Sequence, residues 1–389
     1  MNYLVISPFY PENFQPFTIE LSKKEGVTVL GIGQEPYDQL SEELRNALTE
    51  YFRVENLENL DEVKRAAAFL IYKHGPIDRV ESHNEYWLEL DASLREQFHI
   101  FGAKPNHLKK TKLKSEMKKY FTKAGVPVVP GMVIKIEKDI EKAVKKIGFP
   151  MIAKPDNGVG ASGTFKLTQK ADLETFRATW DGQTIYFFEK FVNSSMITTY
   201  DGLVDSKGNI VFETSLTYVH TPFELLQSKK DNAYYIEKEL DPRLVAYGRA
   251  IMKTFGMKER FFHIEFFKDG NDYIAIEYNN RIAGGFTVEA YNYAHSIDLF
   301  RDYANVVTGG AVEERHFAPQ YCLVVTRRDT TNYVHPVDEL RNRYTDKLKA
   351  IKRMPDAFAG LQGNDAYLLV TDSKEVLDDM IAFIGEVKS

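Results

Sequence analysis

Two runs of strand-forming residues, joined by a short polar turn, constrain the fold of this chain most strongly. The first run covers residues 261–267, the second covers residues 273–281, and the turn between them contains Gly270. Apolar and aromatic runs on either side of a glycine-containing turn predict a β-hairpin. The chain is therefore expected to contain an antiparallel strand pair in this region.

The hairpin brings two carboxylates together. With a turn centred on Asn271, Glu265 lies directly opposite Glu277. Opposed side chains in a sheet have Cβ atoms about 4.5 to 5.5 Å apart, where two like charges repel unless a cation lies between them. Mg²⁺ is a suitable cation because it binds one or two carboxylates together with water and substrate phosphates. The two-residue period of a strand places Asn279 and Arg281 on the same face, which suits a phosphate and its metal.

The alternative is an exposed hairpin face with scattered polar residues. His263 lies on the same face as Glu265. A structural histidine, or a partner of that carboxylate, is a better interpretation of His263 than a metal ligand.

A glycine-rich loop follows a second predicted strand. Residues 149–153 form a short apolar run that leads into Lys154, and the loop after it contains Gly158, Gly160, Ser162 and Gly163. Glycines allow backbone N–H groups to approach a phosphate, and a nearby lysine supplies a positive charge. The loop lacks the lysine and hydroxyl pattern of a Walker A motif. A flexible surface turn is the alternative.

A third segment, residues 184–192, is an apolar strand that ends in the charged pair Glu189-Lys190. We call Glu189, Lys190, Phe191 and Val192 the hinge segment. Such a strand end can offer backbone groups to a flat heteroaromatic ring, and its carboxylate to an exocyclic amine. A strand end that faces solvent fits this segment equally well.

The first hundred residues alternate short apolar runs with helical stretches, which is the pattern of a parallel sheet flanked by helices. Predicted strands cover residues 3–6, 27–32 and 77–81, and predicted helices cover residues 41–51, 60–74 and 85–98. No glycine pattern typical of dinucleotide-binding sites follows the first strand, so a small-molecule domain without a cofactor fits this region.

Helical periodicity returns further along the chain. A basic helix is predicted over residues 109–124, and others over 139–147, 242–255, 288–307, 337–343 and 374–384. Between residues 151 and 282 the composition otherwise favours strands and tight turns. Residues 217–235 are polar and irregular enough for a loop that faces a substrate. His220, His263 and Glu289 are candidates for a general base.

Composition and charge exclude several classes of protein. The length of 389 residues allows two or three domains. A net charge of -6 at pH 7 argues against a nucleic-acid-binding protein, which usually carries a basic excess. The single cysteine, Cys322, lies in an apolar run and is predicted to be a buried strand residue. Because neither a signal peptide nor a membrane span is visible, we expect a cytoplasmic protein without membrane partners.

Taken together, the segments resemble the ATP-grasp superfamily of ligases from Gly102 to Gly285. The likeness rests on the helix that starts at Lys114 and ends before Val126-Pro127, the strand with Lys154, the glycine-rich loop, the hinge segment, and the hairpin with Glu265 and Glu277. Each piece is moderately specific alone. Their common order makes the resemblance much stronger than any single motif.

The resemblance implies a role for each candidate residue. Residues that would bind ATP are Lys114, Lys154, the loop residues Gly158, Gly160, Ser162 and Gly163, and the hinge segment Glu189, Lys190, Phe191 and Val192. Residues that would carry two Mg²⁺ ions, for which Mn²⁺ is a substitute, are Glu265, Glu277 and Asn279. Arg281 and Lys154 would act in catalysis, and Arg281 would stabilise the transferred phosphoryl group or the acyl phosphate.

Two departures from the family pattern leave alternatives open. Family members often have an aspartate directly before the first lysine, whereas Leu113 stands here. Lys110 or Lys112 is therefore an alternative to Lys114. A second carboxylate near the ribose is also common, whereas this chain continues from Asn193 to Met196, which leaves the ribose contact unassigned.

The implied fold is a mixed α/β (α+β) ATP-grasp fold in three parts. Residues 1–104 would form an N-terminal, Rossmann-like parallel-sheet domain. Residues 105–310 would form the ATP-grasp domain, with a lid over about 110–190, and residues 311–389 a C-terminal α+β subdomain.

The implied function is an ATP-dependent carboxylate-amine ligase. It would form an amide or peptide bond between amino acids or small peptides through an acyl phosphate, and release ADP and phosphate. A homodimer is compatible with this function. The alternatives are a biotin-carboxylase-like enzyme, a D-alanyl-D-alanine-like ligase, and a nucleotide-binding regulatory protein without turnover.

Overall fold

The computed structural model describes residues 1–158, 163–194, 196–221, 224–225, 230–312, 317–354, 359–360 and 362–388. The predicted loop residues Gly160 and Ser162 therefore lie outside the described residues. The described residues form three β-sheets with helices packed against them. This is the predicted mixed α/β class.

A parallel sheet opens the chain. Its strands are β1 (Asn2–Ile6), β2 (Thr28–Gly33), β3 (Glu50–Arg53) and β4 (Arg79–Glu81), in the spatial order β3-β2-β1-β4. The helices of this region are α1 (Gln15–Ser22), α2 (Glu42–Ala47), α3 (Leu60–His74) and α4 (Leu88–Gln97). Each of the strand pairs is parallel, which confirms the predicted N-terminal parallel sheet.

The predicted helix over residues 41–51 is wrong beyond Ala47. The backbone becomes extended at Leu48 and then enters β3, where Tyr51 pairs with Gly31 of β2. Aromatic residues such as Tyr51 and Phe52 favour strands, and their packing against β2 overrides the helical spacing. Helix α1 is absent from the sequence prediction.

The predicted basic helix over residues 109–124 is in fact two helices, α5 (Pro105–Lys112) and α6 (Lys114–Lys123). They are separated by Leu113, whose backbone is extended with φ -81 and ψ 117. A distant residue caps the second helix, because the Asp156 carboxylate accepts hydrogen bonds from the backbone N–H of Ser115 at 2.7 Å and from its hydroxyl at 2.7 Å. The break therefore places Lys114 at the start of α6, beside the glycine-rich loop.

An antiparallel sheet follows, which we call the small sheet. Its strands are β5 (Gly131–Ile134), β6 (Met151–Pro155), β7 (Phe165–Leu167) and β8 (Tyr186–Lys190), in the order β5-β8-β6-β7. Helices α7 (Glu137–Ile147) and α8 (Lys170–Thr179) pack against it. Helix α8 is also absent from the sequence prediction, because the composition of that region favours strands and turns.

A large sheet, which we call the central sheet, carries the hairpin. Its strands are β9 (Ile197–Val204), β10 (Ile210–Thr214), β11 (Leu216–Tyr218), β12 (Ala233–Ile236), β13 (Arg260–Asp269), β14 (Asp272–Asn279), β15 (Tyr321–Arg327), β16 (Leu348–Arg353) and β17 (Asp365–Thr371). The path runs β14-β13-β9-β11-β12-β15-β17-β16, and β10 also pairs with β9. The C-terminal strands thus extend the sheet that contains the hairpin.

Helices cover the central sheet. They are α9 (Pro242–Phe255), α10 (Thr287–His295), α11 (Leu299–Val307), α12 (Val337–Arg343) and α13 (Lys374–Gly385). The single helix predicted over 288–307 is wrong, because the chain breaks at Ser296, which has a left-handed φ of 51. Parts of the predicted irregular segment 217–235 are strands β11 and β12, and residues 222–223 and 226–229 lie outside the described residues. Cys322 is fully buried in β15, as predicted.

One hydrophobic core joins the N-terminal region to the central sheet. Phe17 of α1 packs edge-on against Phe300 and Tyr303 of α11, with ring centroids 4.7 Å and 5.4 Å away. Tyr303 in turn stacks on Phe261 of β13, at 5.5 Å. This core brings the end of β4 next to the hairpin. None of the helices in the described ranges is long and apolar enough to span a membrane.

Candidate functional site

The hairpin pairs the two predicted carboxylates. Glu265 of β13 lies opposite Glu277 of β14, which confirms the predicted pairing. The assumed turn centre is wrong, however, because Asp269 pairs with Asp272 and leaves a two-residue turn. Between Glu265 and Phe266 the register shifts by one residue, because Ile276 of β14 has no partner in β13. This shift brings Glu277 opposite Glu265 despite the different turn.

This β-bulge sets the composition of one face of the hairpin. Because the side-chain period of a strand is two, a register shift of one residue moves a side chain to the other face. With the bulge, Glu277 pairs with Glu265, so that the two side chains lie on the same face of the hairpin. Phe267 and Ile274 also pair on that face, nearer the turn. An apolar wall therefore lies directly beside the two carboxylates.

A buried histidine, His263, contacts Glu265. Nδ1 of His263 lies 2.7 Å from the Asp201 carboxylate, and Nε2 lies 3.2 Å from Glu265. Burial lowers the pKa of His263, but Asp201 and Glu265 outweigh burial and raise that pKa to about 10. His263 is therefore an imidazolium that donates from both nitrogens, and it has no lone pair for a metal. It holds Glu265 in place, as the sequence suggested.

The Glu265 carboxyl is held in its ionised form. Burial would raise its pKa, but His263, Arg281 and Lys154 lower it. An ionised carboxylate in a buried position is the form that a hard cation requires.

Among the three candidate lysines of the basic region, Lys114 reaches the hairpin. Its side chain is 3% exposed, and its Nζ lies 3.3 Å from Glu277 and donates to the backbone oxygen of Gly158 at 2.7 Å. Lys112 instead pairs with the exposed Glu89 at 2.8 Å, and Lys110 donates to the backbone oxygen of Phe255. The geometry favours Lys114 as the phosphate-binding residue, and that role stays a prediction.

Lys154 belongs to a buried triad of charges. Its Nζ lies 2.5 Å from Glu189, and Lys118 of α6 contacts the other oxygen of Glu189 at 3.2 Å. Burial alone would raise the pKa of Glu189, but the two lysines lower it to about 2. We call Lys118, Glu189 and Lys154 the lysine–glutamate triad. Two lysines therefore contact the Glu189 carboxylate. The sequence had suggested instead that this carboxylate is available for an exocyclic amine.

Lys118 has no assigned role in the sequence analysis. The available signal is its spacing of four residues from Lys114 on one helix, which places both side chains on the same face. Burial lowers the pKa of Lys118, and its ammonium also donates to the backbone oxygen of Ala275 at 3.0 Å. Helix α6 thus contributes two lysines to the space between the small and central sheets.

A cavity of about 590 Å³ lies beside the hinge segment. Phe191 and Val192 line it together with Ile274 and the turn of the hairpin. Lys190 donates to the backbone oxygen of Phe149 at 3.0 Å, and neither Lys190 nor Glu189 lines the cavity. Two of the four predicted hinge residues therefore border a space large enough for a nucleotide base.

The N-terminal region holds Arg281. Nε of Arg281 donates to Glu85 at 2.9 Å, and Nη1 donates to the backbone oxygen of Ile282 at 2.8 Å. Arg260 reinforces this contact, because it bonds to Glu81 at 2.6 Å and to the backbone oxygen of Asn280 at 2.9 Å. Sequence reasoning missed Glu85, because a pair between residues so far apart leaves no local pattern.

The donor set fits Mg²⁺. Within the described ranges, no group of three or more His, Cys, Asp or Glu side chains is arranged to hold a metal. The predicted set is instead two facing carboxylates, Glu265 and Glu277, with the amide of Asn279 opposite His263. Few protein oxygen ligands suit Mg²⁺, which completes its octahedral shell with water and substrate phosphates. Lysines beside the carboxylates are consistent with a polyphosphate at the same place.

A match to a known protein family shows to which family the chain belongs. Facing carboxylates and buried lysines between two sheets are typical of the class of proteins that bind a nucleotide together with a metal ion. Residues 113–312, just over half of the chain, match the family described as carbamoyl-phosphate synthase L chain, ATP binding domain. The chain belongs to this family, and the predicted ATP-grasp resemblance is confirmed.

Three relatives are similar over most of the chain. The L-arginine-specific L-amino acid ligase of Bacillus subtilis is 24% identical over 330 residues, which cover 78% of this chain and 76% of that protein. The structure of an L-amino acid ligase from Bacillus licheniformis has a TM-score of 0.75 at 15% identity, and covers 98% of this chain and 97% of that one.

A third relative was solved with a nucleotide. The biotin carboxylase domain dimer of Hydrogenobacter thermophilus 2-oxoglutarate carboxylase, in complex with MgADP, ADP and bicarbonate, has a TM-score of 0.69 at 14% identity, and covers 99% of this chain and 90% of that chain. The family match and the two amino acid ligases confirm the predicted class, an ATP-dependent ligase that forms C–N bonds.

Proposed function

We propose that the protein joins the carboxylate of one amino acid or small peptide to the amine of another, at the expense of ATP. The observation that carries this proposal is the pairing of Glu265 with Glu277 beneath Lys114 and Lys154. The similarity to two amino acid ligases supports the choice of substrate class. The bond formed is an amide, and the products of ATP are ADP and phosphate.

In the proposed mechanism the chain's own residues position and neutralise the phosphates. Lys114 and Lys154 contact the phosphate oxygens, and Arg281 lies beside the phosphoryl group that moves to the substrate carboxylate. Phosphoryl transfer needs in-line positioning and charge neutralisation more than it needs a protein nucleophile. Glu265, Glu277 and Asn279 would hold Mg²⁺, which neutralises charge that develops on the phosphates. The amine then attacks the acyl phosphate, and phosphate leaves.

The hinge segment supplies the base site in this proposal. The cavity beside Phe191 and Val192 is walled by Ile274, and such apolar walls suit a flat adenine ring. Glu189 contributes indirectly, because its carboxylate fixes the Lys154 ammonium at 2.5 Å. We also propose that Mn²⁺ can replace Mg²⁺, which activity measurements with each metal would test. We further propose a homodimer, which sedimentation analysis would test.

The first experiment measures the products of ATP. Purified protein is mixed with ATP, Mg²⁺ and pools of amino acids, with hydroxylamine added to trap an acyl phosphate as a hydroxamate. We expect ADP, phosphate and a hydroxamate that depend on the amino acid. AMP and pyrophosphate would refute the acyl-phosphate route, and turnover with bicarbonate in place of amino acids would indicate carboxylase-like chemistry instead.

The second experiment tests the site. Glu277→Gln and Lys154→Met remove one carboxylate and one ammonium without a large change of shape. Each is expected to lower the rate of ADP release on the order of 100-fold or more. Glu89→Gln is a matched control, because Glu89 is an exposed glutamate that pairs with Lys112. A near-normal rate in either site variant would contradict the assignment.

A further inference from the structure

Glu289 carries a buried carboxylate oxygen without a partner. It lies in the first turn of α10, and one of its oxygens is 3.3 Å from Nζ of Lys352. Among the described residues, its other oxygen, Oε2, is buried and accepts no hydrogen bond. A buried acceptor without a donor is costly, so a group outside the chain is a natural partner for it.

A continuous floor joins Glu289 to the predicted metal site. Tyr218 of β11 pairs with Tyr234 of β12, with ring centroids 6.2 Å apart. Strand β11, which carries Tyr218, and strand β13, which carries Glu265, both pair with β9, and burial together with the carboxylates of Glu265 and Asp201 raises the pKa of Tyr218. Burial, Tyr218 and Glu289 raise the pKa of Tyr234. The two tyrosines therefore bridge the space between the carboxylates of the hairpin and α10.

Two glycines keep this space open. A Cβ at Gly284 would meet nothing within 4 Å, and Gly285 has a left-handed φ of +64. A Cβ at Gly285 would lie 3.2 Å from the side-chain oxygen of Gln362 and 3.8 Å from the Tyr234 hydroxyl. Gly284 and Gly285 thus present backbone, rather than side chains of their own, on this side of Tyr234.

The tyrosine floor extends away from the hairpin along the sheet. Three strand spacings lie between β13 and β12 in the order β13-β9-β11-β12, which is about 14 Å at the usual spacing. The α-ammonium of the acid substrate lies within a few ångströms of its own carboxylate and cannot span that distance. A carboxylate beside Tyr234 is instead placed for a substrate side chain.

We infer that Glu289 accepts a hydrogen bond from the side chain of the amine substrate, and that the enzyme prefers amines with a cationic, hydrogen-bond-donating side chain. This inference rests on the proposed function. Glu289 is a specificity residue for the second substrate, at the end of a pocket formed by Tyr218, Tyr234 and the Gly284-Gly285 backbone.

L-lysine and L-norleucine test the inference, because their side chains differ only in the terminal ammonium. Each is offered as the amine to wild-type protein with an acid that gives a hydroxamate, and each coupling rate is divided by the hydroxamate rate of the same protein. We expect wild type to favour L-lysine by about tenfold or more, the value of one charged hydrogen bond. Glu289→Gln is expected to reduce that preference to about twofold or less.

Glu237→Gln is the control. Glu237 is another largely buried glutamate, whose pKa burial raises, and it bonds to Thr217 at 2.7 Å on the opposite face of the sheet. This variant is expected to keep the wild-type preference. The same preference in wild type and in Glu289→Gln, or no preference in wild type, would overturn the inference alone. Absence of any hydroxamate from wild type would overturn both the proposed function and the inference.

Discussion

Two substitutions in the lysine–glutamate triad are expected to change the stability of the protein by different amounts. Glu189→Gln removes the carboxylate that contacts both Lys154 and Lys118 and leaves the two ammonium groups buried beside each other. Lys118→Met leaves the Glu189–Lys154 pair intact and removes an ammonium that is costly to bury, since burial lowers the pKa of Lys118. We expect the first substitution to destabilise the protein far more than the second.

The magnitude follows from the carboxylate. The two lysines lower the pKa of Glu189 from 4.5 to about 2, and each tenfold change in proton affinity corresponds to about 1.4 kcal/mol, so the interaction amounts to about 3 kcal/mol. Removing one partner of a buried ion pair costs a similar amount, about 3 to 5 kcal/mol. Glu189→Gln is therefore expected to lose about 3 kcal/mol, and Lys118→Met about 1 kcal/mol or less.

The pH dependence has a definite sign. A carboxyl whose folded pKa is below its unfolded value contributes stability that is fully present above the unfolded pKa of 4.5 and is lost as the pH falls towards 2. The difference between wild type and Glu189→Gln should therefore be full at neutral pH and shrink as the pH falls below about 4.5.

The assay uses a tryptophan at the end of a helix that packs on the small sheet. Trp180 follows α8 and stacks on Phe176 of that helix, with ring centroids 6.0 Å apart, and Phe176 packs against Phe188 of β8. In a Trp87→Phe background its fluorescence reports unfolding of this sheet during urea titration. A loss below about 1 kcal/mol for Glu189→Gln, or equal losses for both variants, would refute the reasoning from burial and pairing.

Three further predictions concern other parts of the chain. Lys114→Met should raise the KM for ATP about tenfold or more, whereas Lys112→Met should change it less than about twofold, as steady-state kinetics would show. Asp91→Asn should gain stability relative to wild type as the pH rises from about 4 to about 7 in urea titrations, because burial raises the pKa of Asp91 to about 7, so that the unfolded wild-type chain is ionised at Asp91 in this range while the native state keeps the proton. Gly248→Ala should lose about 2 kcal/mol in urea titrations despite a better helix propensity, because the new methyl group would overlap the buried ring of Tyr200.

Local patterns account for most of what the sequence predicted. Helices α3, α9 and α12 have the predicted bounds of 60–74, 242–255 and 337–343, because each has a glycine, proline or polar residue near its ends and α3 and α9 also have a clear apolar stripe. The hairpin itself follows from two strand-forming runs and a short turn. Such features depend on neighbours in the sequence, and a single chain displays them directly.

The misses depend on contacts between distant residues or on single backbone angles. The break at Leu113 depends on capping by Asp156, and the break at Ser296 on one left-handed residue. The bulge at Ile276 is an irregularity of one residue in the pairing of β13 with β14, for which the hairpin sequence has no visible signal. The pairing of Glu265 with Glu277 was therefore predicted from a wrong turn, and a compensating irregularity made it right.

The contacts of the site explain how an acidic protein can hold a polyphosphate. Each cation of the predicted site already lies against a carboxylate: Lys114 against Glu277, Lys154 and Lys118 against Glu189, and Arg281 against Glu85. The positions of the cations are thus fixed by the protein's own acidic side chains, which removes the cost of reorganising them around a substrate. A phosphate gains affinity here only as far as it competes with those carboxylates. Tight nucleotide binding should consequently depend on the metal, because a divalent cation occupies Glu265 and Glu277 and leaves Lys114 free to contact the phosphate.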